Sequence, residues 1–170
     1  MTSDFSLPSA VSLFRIVLHE PEIAPNAGSI MRLCANTGCT LHLVEPFPFA
    51  LDDARLRRAG LDYRERAVVR VHRSWEDFLN KERPGRVIAF TGHASTSYAD
   101  ISYELNDALV FGKESVGLPE TVLVDQAVSE TVRIPMAPNG RSLNLASAAA
   151  VAVYEGWRQL GFPGAAAPRR

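Results

Sequence analysis

The stretch LFRIVLHEPEIAPNAGSIMRLCANTGCTLHLVEP (residues 13–46) decides the fold class at the start of the chain. Residues 13–18 form a short apolar run bounded by polar and proline residues, which predicts a buried strand. Residues 26–38 place apolar side chains at helical spacing, with Asn26 as the predicted N-cap and Gly38 as the C-terminal stop. Residues 40–46 return to a strand pattern. The order is therefore β-α-β.

The rest of the chain continues this alternation. Further helices are predicted at 74–82, behind Ser74 as N-cap, and at 143–161, and further strands at 86–92, 107–114 and 131–136. Alternating strands and helices are typical of an α/β fold with a mostly parallel sheet and helices on both faces. We expect one domain, preceded by a loose polar arm at 1–12 and followed by a short tail.

The overall composition is that of a globular protein. The chain has 170 residues, of which 46% are hydrophobic and 22% charged, with a net charge of −1. This charge argues against a generic binder of polyanions but leaves room for a local basic patch. Residues 51–73 hold seven arginines against four acids. The alternative to a phosphate-binding patch is a solvated face balanced by Asp52 and Asp53.

Other motifs narrow the function. Cys34 and Cys39 are not in CxxC spacing and are expected to be reduced thiols, and there is no signal peptide or membrane span, which indicates the cytoplasm. The four histidines are scattered in the sequence, so no metal is expected. Neither a G-x-G-x-x-G fingerprint nor a G-x-S-x-G elbow is present, which weighs against a dinucleotide oxidoreductase and a serine hydrolase.

Three predicted strands end in loops suited to a ligand. They are Phe90-Thr91-Gly92, Phe111-Gly112-Lys113-Glu114 and Ile134-Pro135-Met136. Ligands of open α/β sheets bind beyond the carboxyl ends of the strands, and glycine there lets the backbone approach closely. Each loop alone is most simply an ordinary turn, but three at one edge favour a pocket.

The stretch MAPNGRSLNLASAAAVAVYEGW (136–157) joins a polar loop to an apolar helix. One capping side chain would account for Ser142 or Asn144, but not for both together with Arg141. The run 145–157 is apolar nearly all round, and such a helix must be covered on every side. A second copy of the chain is the favoured cover; burial within a single subunit is the alternative.

Four motifs together resemble the SPOUT methyltransferases, knotted enzymes that methylate RNA with S-adenosylmethionine. They are EPEIAPNAGSIMRLCANTG (20–38), LDYRE (61–65), FGKESVGLP (111–119) and RIPMAPNGRSLNLASAAAVAVYEGWRQLGFPG (133–164). The resemblance covers residues 13–164, which it implies form one methyltransferase domain, with 165–170 as a tail. It also implies a C-terminal trefoil knot, against the general rule that chains do not thread loops.

Within that family the chain is most similar to short bacterial members that methylate the ribose 2′-hydroxyl of the tRNA wobble nucleotide. The resemblance implies the same reaction here, on cytidine or modified uridine at position 34 in the anticodon stem-loop of leucine tRNAs. Methylation of another tRNA or ribosomal nucleotide is the main alternative. A non-catalytic knotted RNA-binding module is a further one.

The resemblance also assigns residues. Catalytic roles are implied for Arg32, Asn26, Glu114, Ser142 and Asn144, and cofactor contacts for Phe90, Thr91, Gly112, Glu114, Ile134, Met136, Ser142 and Leu143. RNA contacts are expected from Arg32, Arg55, Arg57, Arg58 and Arg141. Arg32 is expected to grip a phosphate with its guanidinium fork, because that group does not give up its proton to act as a base. A homodimer through the C-terminal helix is implied as well.

Overall fold

The computed structural model describes residues 12–51 and 67–168, which contain seven strands and four helices. The strands are β1 (Arg15–His19), β2 (Thr40–Val44), β3 (Val68–His72), β4 (Val87–Phe90), β5 (Thr96–Ser97), β6 (Ala108–Phe111) and β7 (Glu130–Arg133). The helices are α1 (Ala24–Thr37), α2 (Trp75–Glu82), α3 (Glu120–Leu123) and α4 (Leu145–Gln159).

The strands form one sheet in the order β3-β2-β1-β6-β4-β7-β5. Every strand pair is parallel, so the predicted α/β class is confirmed and the sheet is parallel throughout rather than mostly so. Arg15 in β1 is paired with Thr40 on one side and with Ala108 on the other. This register brings the carboxyl ends of the central strands to one edge of the sheet.

Helices cover both faces of the sheet, as predicted. Successive strand residues point to opposite faces, so Ile16 and Leu18 pack in one buried cluster while Val17 packs in another. The first cluster contains the buried residues of α1 and α4. The second contains Trp75 and Phe78 of α2 and Val122 of α3.

Helix α1 begins three residues before the predicted start. Its N-cap is Ile23, and Pro25 lies in the first turn, where a missing N–H costs nothing. The prediction that Asn26 caps this helix is therefore wrong, because Asn26 lies inside the first turn. The predicted stop at Gly38 is confirmed, with a left-handed φ of 77°.

The other boundaries differ mainly in length. Helix α2 begins behind Ser74, whose hydroxyl oxygen accepts a hydrogen bond from the Asp77 N–H at 3.1 Å, as predicted. The strands predicted at 86–92, 107–114 and 131–136 are shorter, because the glycine and proline residues that follow them lie in loops. The last helix is likewise shorter than 143–161.

The predictions for the cysteines, for membrane spans and for the arginine-rich segment have different outcomes. Cys34 and Cys39 are free and buried, and burial raises the pKa of the Cys39 thiol to about 12. Within residues 12–51 and 67–168, no helix is long and apolar enough to cross a membrane. Arg55, Arg57 and Arg58, together with the arm before residue 12, lie outside the described residues.

Candidate functional site

A cavity of about 650 Å³ opens at the carboxyl edge of the sheet. Its volume is in the range of small-molecule and cofactor sites. It is lined by all eight residues predicted to contact a cofactor, which include the predicted catalytic residues Glu114 and Ser142, and by two further predicted catalytic residues. These ten are Phe90, Thr91, Gly112, Glu114, Ile134, Met136, Ser142, Leu143, Asn26 and Asn144. The three strand-end loops and the loop before α4 thus meet at one place.

The cavity wall combines an aromatic floor with a partly exposed apolar rim. Phe90 and Phe111 stack with ring centroids 4.6 Å apart, and both line the cavity. At the rim, Met136 is 44% exposed and Leu143 39% exposed. Apolar side chains close to backbone groups at strand ends suit a flat heterocycle carrying polar substituents.

Glu114 connects the loop after β6 to the beginning of α1. One carboxylate oxygen accepts the Glu22 N–H at 2.7 Å, and the other accepts the Ile23 N–H at 3.1 Å and the Asn26 side-chain amide at 3.1 Å. The first N–H groups of a helix have no partner within the helix and carry partial positive charge. The Glu114 carboxylate therefore caps α1 from another part of the chain.

Asn144 connects the same group to α4. Its side-chain oxygen accepts the N–H groups of Ala146 and Ser147, at 2.9 and 3.3 Å, as an N-cap. Its side-chain nitrogen donates to Asn26 Oδ1 at 2.9 Å. Asn144 is therefore both a helix cap and part of the cavity wall. The side-chain hydrogen bonds from Glu114 to Asn26 and from Asn26 to Asn144 connect the beginnings of α1 and α4.

Two further pairs fasten the loop after β1 to the loop after β6. The Glu22 carboxylate accepts hydrogen bonds from the Ser115 hydroxyl and N–H, both at 2.9 Å, and these hold the pKa of Glu22 below its ordinary value. Lys113 forms an ion pair with Glu20 at 2.7 Å, and this contact raises the pKa of Lys113. Both contacts tie together the two loops on either side of Glu114.

Gly112 lies where the backbone passes very close to itself. Lys113 and Gly117 form an isolated antiparallel bridge that folds the loop back. A Cβ atom on Gly112 would lie 2.1 Å from the carbonyl carbon of Gly117 and 2.2 Å from the nitrogen of Leu118. Only glycine fits at this position.

The two described arginines among the predicted site residues lie apart from the cavity. Arg32 is exposed on α1, six residues beyond Asn26, and so points away from the side of the helix that lines the cavity. Arg141 is exposed in the loop before Ser142 and does not line the cavity either. Within one chain, the structure does not bring these guanidinium groups to the predicted cofactor contacts.

Sequence reasoning missed several residues of the site. Ile23, 46% exposed, and Ala148 line the cavity, and Glu20 and Glu22 bind the lining residues Lys113 and Ser115. The available signal for Ile23 was a large apolar residue directly after Glu20-Pro21-Glu22, in an otherwise polar and proline-containing loop. No local pattern marks Glu20 and Glu22, because their partners are more than 90 residues away.

A second cavity, of about 500 Å³, lies on the other side of the loop after β6. Its wall carries Glu20, Glu45 and Glu76 and none of the predicted site residues. The predicted cofactor contacts and the aromatic floor coincide in the first cavity, which is therefore the candidate site.

Comparisons with known proteins identify the family of the chain. A model of the SpoU rRNA methylase family matches residues 13–154. The chain is 51% identical over 153 residues to a tRNA (cytidine(34)-2′-O)-methyltransferase of Escherichia coli K12, covering 90% of this chain and 98% of that protein. It is 52% identical over 152 residues to the protein of the same name from Saccharophagus degradans, covering 89% and 99%.

Solved structures of methyltransferases are also similar to this chain. One from work on 2′-hydroxyl methylation of C/U34 on tRNA matches with a TM-score of 0.82 and 44% identity, covering 87% of this chain and 96% of that one. A SpoU methyltransferase of Streptomyces viridochromogenes in complex with S-adenosylmethionine matches with a TM-score of 0.79 and 23% identity, over 91% of this chain and 63% of that one. The second similarity is one of fold alone.

Proposed function

The chain belongs to the SpoU rRNA methylase family, and from this premise we propose that it methylates the ribose 2′-hydroxyl of nucleotide 34 of tRNA, either cytidine or a modified uridine. The observation that carries the proposal is the 51% identity to a tRNA (cytidine(34)-2′-O)-methyltransferase over nearly the whole length of both proteins. The cavity supports it, because the residues implied in cofactor binding by the motifs surround one space of suitable size.

We propose S-adenosylmethionine as the methyl donor. It would supply a methyl group on a sulfonium, which is already a good leaving group, so the protein's task is alignment and exclusion of water. Phe90, Ile134 and Leu143 would enclose the adenine, and the backbone around Gly112 would hold polar groups. No residue of the cavity needs to form a covalent bond with the substrate.

Asn26, Glu114 and Asn144 would hold the cavity in shape. Their hydrogen bonds to one another and to the beginnings of α1 and α4 occupy three of the acceptor positions of the Glu114 carboxylate. Ser142 is exposed at the rim and could contact the incoming ribose. Arg32 would bind the adjacent phosphate, and its positive charge would lower the pKa of the attacking hydroxyl.

We propose that a second copy of the chain completes the site. Leu145, Ala149, Ala152 and other residues on one face of α4 are buried within the subunit, but Tyr154 is 48% exposed and Val151 only half-buried. Helix α1 packs on α4, and Arg32 is one of its exposed residues. A partner docked here would place its Arg32 near the cavity. The implied trefoil knot belongs to the same C-terminal region.

Sedimentation velocity at micromolar concentration tests the dimer. We expect a single species of twice the chain mass, because exposed apolar groups on α1 and α4 would be buried between the copies. Tyr154→Arg should shift this species towards the monomer, whereas Asn80→Gln, an exposed change in α2 on the other face of the sheet, should not. A wild-type monomer at these concentrations would contradict the proposal.

The reaction is tested with purified protein, labelled S-adenosylmethionine and in vitro transcribed leucine tRNA. We expect one methyl group per tRNA, mapped to the ribose of nucleotide 34 by its resistance to alkaline cleavage. A transcript carrying 2′-deoxycytidine at position 34 is the matched control and should accept none. Methylation of that control would contradict the assignment to the 2′-hydroxyl of nucleotide 34. Methylation of another tRNA nucleotide, or of ribosomal RNA instead of tRNA, would contradict it as well. Binding of tRNA without methyl transfer would favour a non-catalytic module.

A further inference from the structure

A buried cluster of two histidines and one glutamate lies on the face of the sheet opposite α1 and α4. His42 comes from β2, His72 from β3 and Glu82 from the last residue of α2. Their side chains are 0%, 2% and 8% exposed. The histidines are scattered in the sequence and match no metal motif, yet the parallel pairing of β2 and β3 brings these two together.

The three nearest ligand atoms form a compact triangle. His42 Nδ1 lies 3.0 Å from His72 Nε2, and each nitrogen lies 3.9 Å from the same oxygen, Oε1 of Glu82. A point equidistant from the three atoms lies about 2.1 Å from each, which is the usual length of Zn–N and Zn–O bonds. Ligand atoms around a tetrahedral zinc lie about 3.4 Å apart, between the observed distances.

The surroundings of the triangle resemble the outer shell of a metal site. Thr40 Oγ1 lies 3.0 Å from His42 Nε2, and as an acceptor it favours the tautomer whose lone pair is on Nδ1. Arg70 donates at 2.7 Å to Glu82 Oε2 and leaves Oε1 for a metal. Outer hydrogen bonds of this kind orient the ligands of metal sites. Phe78 packs edge-on against both imidazole rings and helps to fix their orientation.

Without a metal, the two facing ring nitrogens of His42 and His72 are within hydrogen-bonding distance of each other. The two facing nitrogens share one hydrogen bond, so one of them carries a proton. If that is His72 Nε2, metal binding requires the proton to move to Nδ1 of the same ring. This atom is buried and has no hydrogen-bond partner among the described residues. The change is a shift of tautomer, with no net release of a proton.

We propose that His42, His72 and Glu82 bind one Zn²⁺ ion. Imidazole and carboxylate ligands suit zinc among the common divalent ions. Within the described residues β3 is paired only with β2, so it is an edge strand of the sheet. The ion would fasten this edge strand to β2 and to the end of α2. The site is separate from the cofactor cavity and does not depend on the proposed methyl transfer.

The full-length protein, stripped with EDTA and exchanged into metal-free buffer, is titrated with Zn²⁺ by calorimetry and with Co²⁺ by visible absorption. We expect one ion per chain, cobalt bands of a four- or five-coordinate site without thiolate charge transfer, and a rise in Tm with zinc. Glu82→Gln keeps the side-chain volume and the acceptor for Arg70 but removes the charged ligand. Both Glu82→Gln and His72→Gln should weaken zinc binding at least tenfold.

His93→Gln is the control, because this exposed histidine lies outside the cluster. It should bind zinc as the wild type does. Circular dichroism of each variant shows whether it is folded. If His72→Gln does not fold, the zinc affinity of the folded Glu82→Gln variant alone tests the proposal. Absence of zinc binding by the wild type would overturn the proposal. So would equal affinity in the folded Glu82→Gln variant, or a thiolate band that indicates Cys34 or Cys39 as ligands.

Discussion

Replacing Gly112 with alanine should abolish cofactor binding and destabilise the fold by about 4 kcal/mol or more, the range of severe steric substitutions. The new Cβ would lie 2.1 Å from the Gly117 carbonyl carbon and 2.2 Å from the Leu118 nitrogen. Both are backbone atoms, held by the Lys113–Gly117 bridge, so no side chain can turn aside to make room. The loop that lines the cavity must therefore move. Urea denaturation and equilibrium dialysis with labelled S-adenosylmethionine measure the two effects.

Gly92→Ala is the matched control for this substitution. Gly92 lines the same cavity, but a Cβ atom there meets nothing within 4 Å and its φ is not in the left-handed region. Its free energy of unfolding should stay within about 1 kcal/mol of the wild type, as for substitutions without a steric conflict. If Gly112→Ala were as stable as Gly92→Ala and still bound the cofactor, the close approach of the two backbone segments would be wrong.

Glu114→Gln should lower the free energy of unfolding by about 2–4 kcal/mol, since hydrogen bonds to a charged acceptor are strong and an orphaned donor is costly. The carboxylate accepts three hydrogen bonds, from Glu22, Ile23 and Asn26. A glutamine amide can accept through only one atom, and its NH₂ group would face an N–H donor at the start of α1. Asn26 would then shift and disturb its contact with Asn144.

The same substitution should reduce methyl transfer about 100-fold, the order of loss that a displacement of about 1 Å in an active site produces. Glu120→Gln is the control, because this exposed carboxylate lies in the first turn of α3 and outside the cavity. The separate effects on KM and kcat distinguish a positioning role of Glu114 from a catalytic one. We expect the KM for the cofactor to rise, since Glu114 positions the wall rather than the reacting atoms. A large fall in kcat with unchanged KM would instead give Glu114 a direct part in the chemistry.

Local pattern was sufficient for those features that depend on neighbouring residues. The α/β class follows from hydrophobic periodicity, the end of α1 from Gly38 and the start of α2 from Ser74, because each is a matter of a few adjacent residues. The positions of the strand-end loops follow in the same way. The family is identified from long motifs in the correct order, and the comparisons confirm it.

The start of α1 shows where local reasoning fails. Asn26 has the side chain of an N-cap, yet the helix begins at Ala24, and the carboxylate of Glu114 accepts the N–H groups of its N-cap Ile23 and of Glu22 before it. A cap supplied from 88 or more residues away leaves no trace in the local pattern. Asn144 is the opposite case, since its capping role is local while its bond to Asn26 spans 118 residues.

The sequence by itself determined which elements form, where most of them end and which residue types gather in the loops, because these depend on backbone preferences and the periodic burial of apolar side chains. Only the tertiary structure decided which elements are neighbours. The sheet order inserts β6 between β1 and β4, and this alone brings Glu114 to Asn26 and closes the cavity. The pairing of β2 with β3 likewise brings together His42 and His72, which no sequence spacing connects. Such contacts are set by packing between distant segments, so they exist only once the whole sheet has formed.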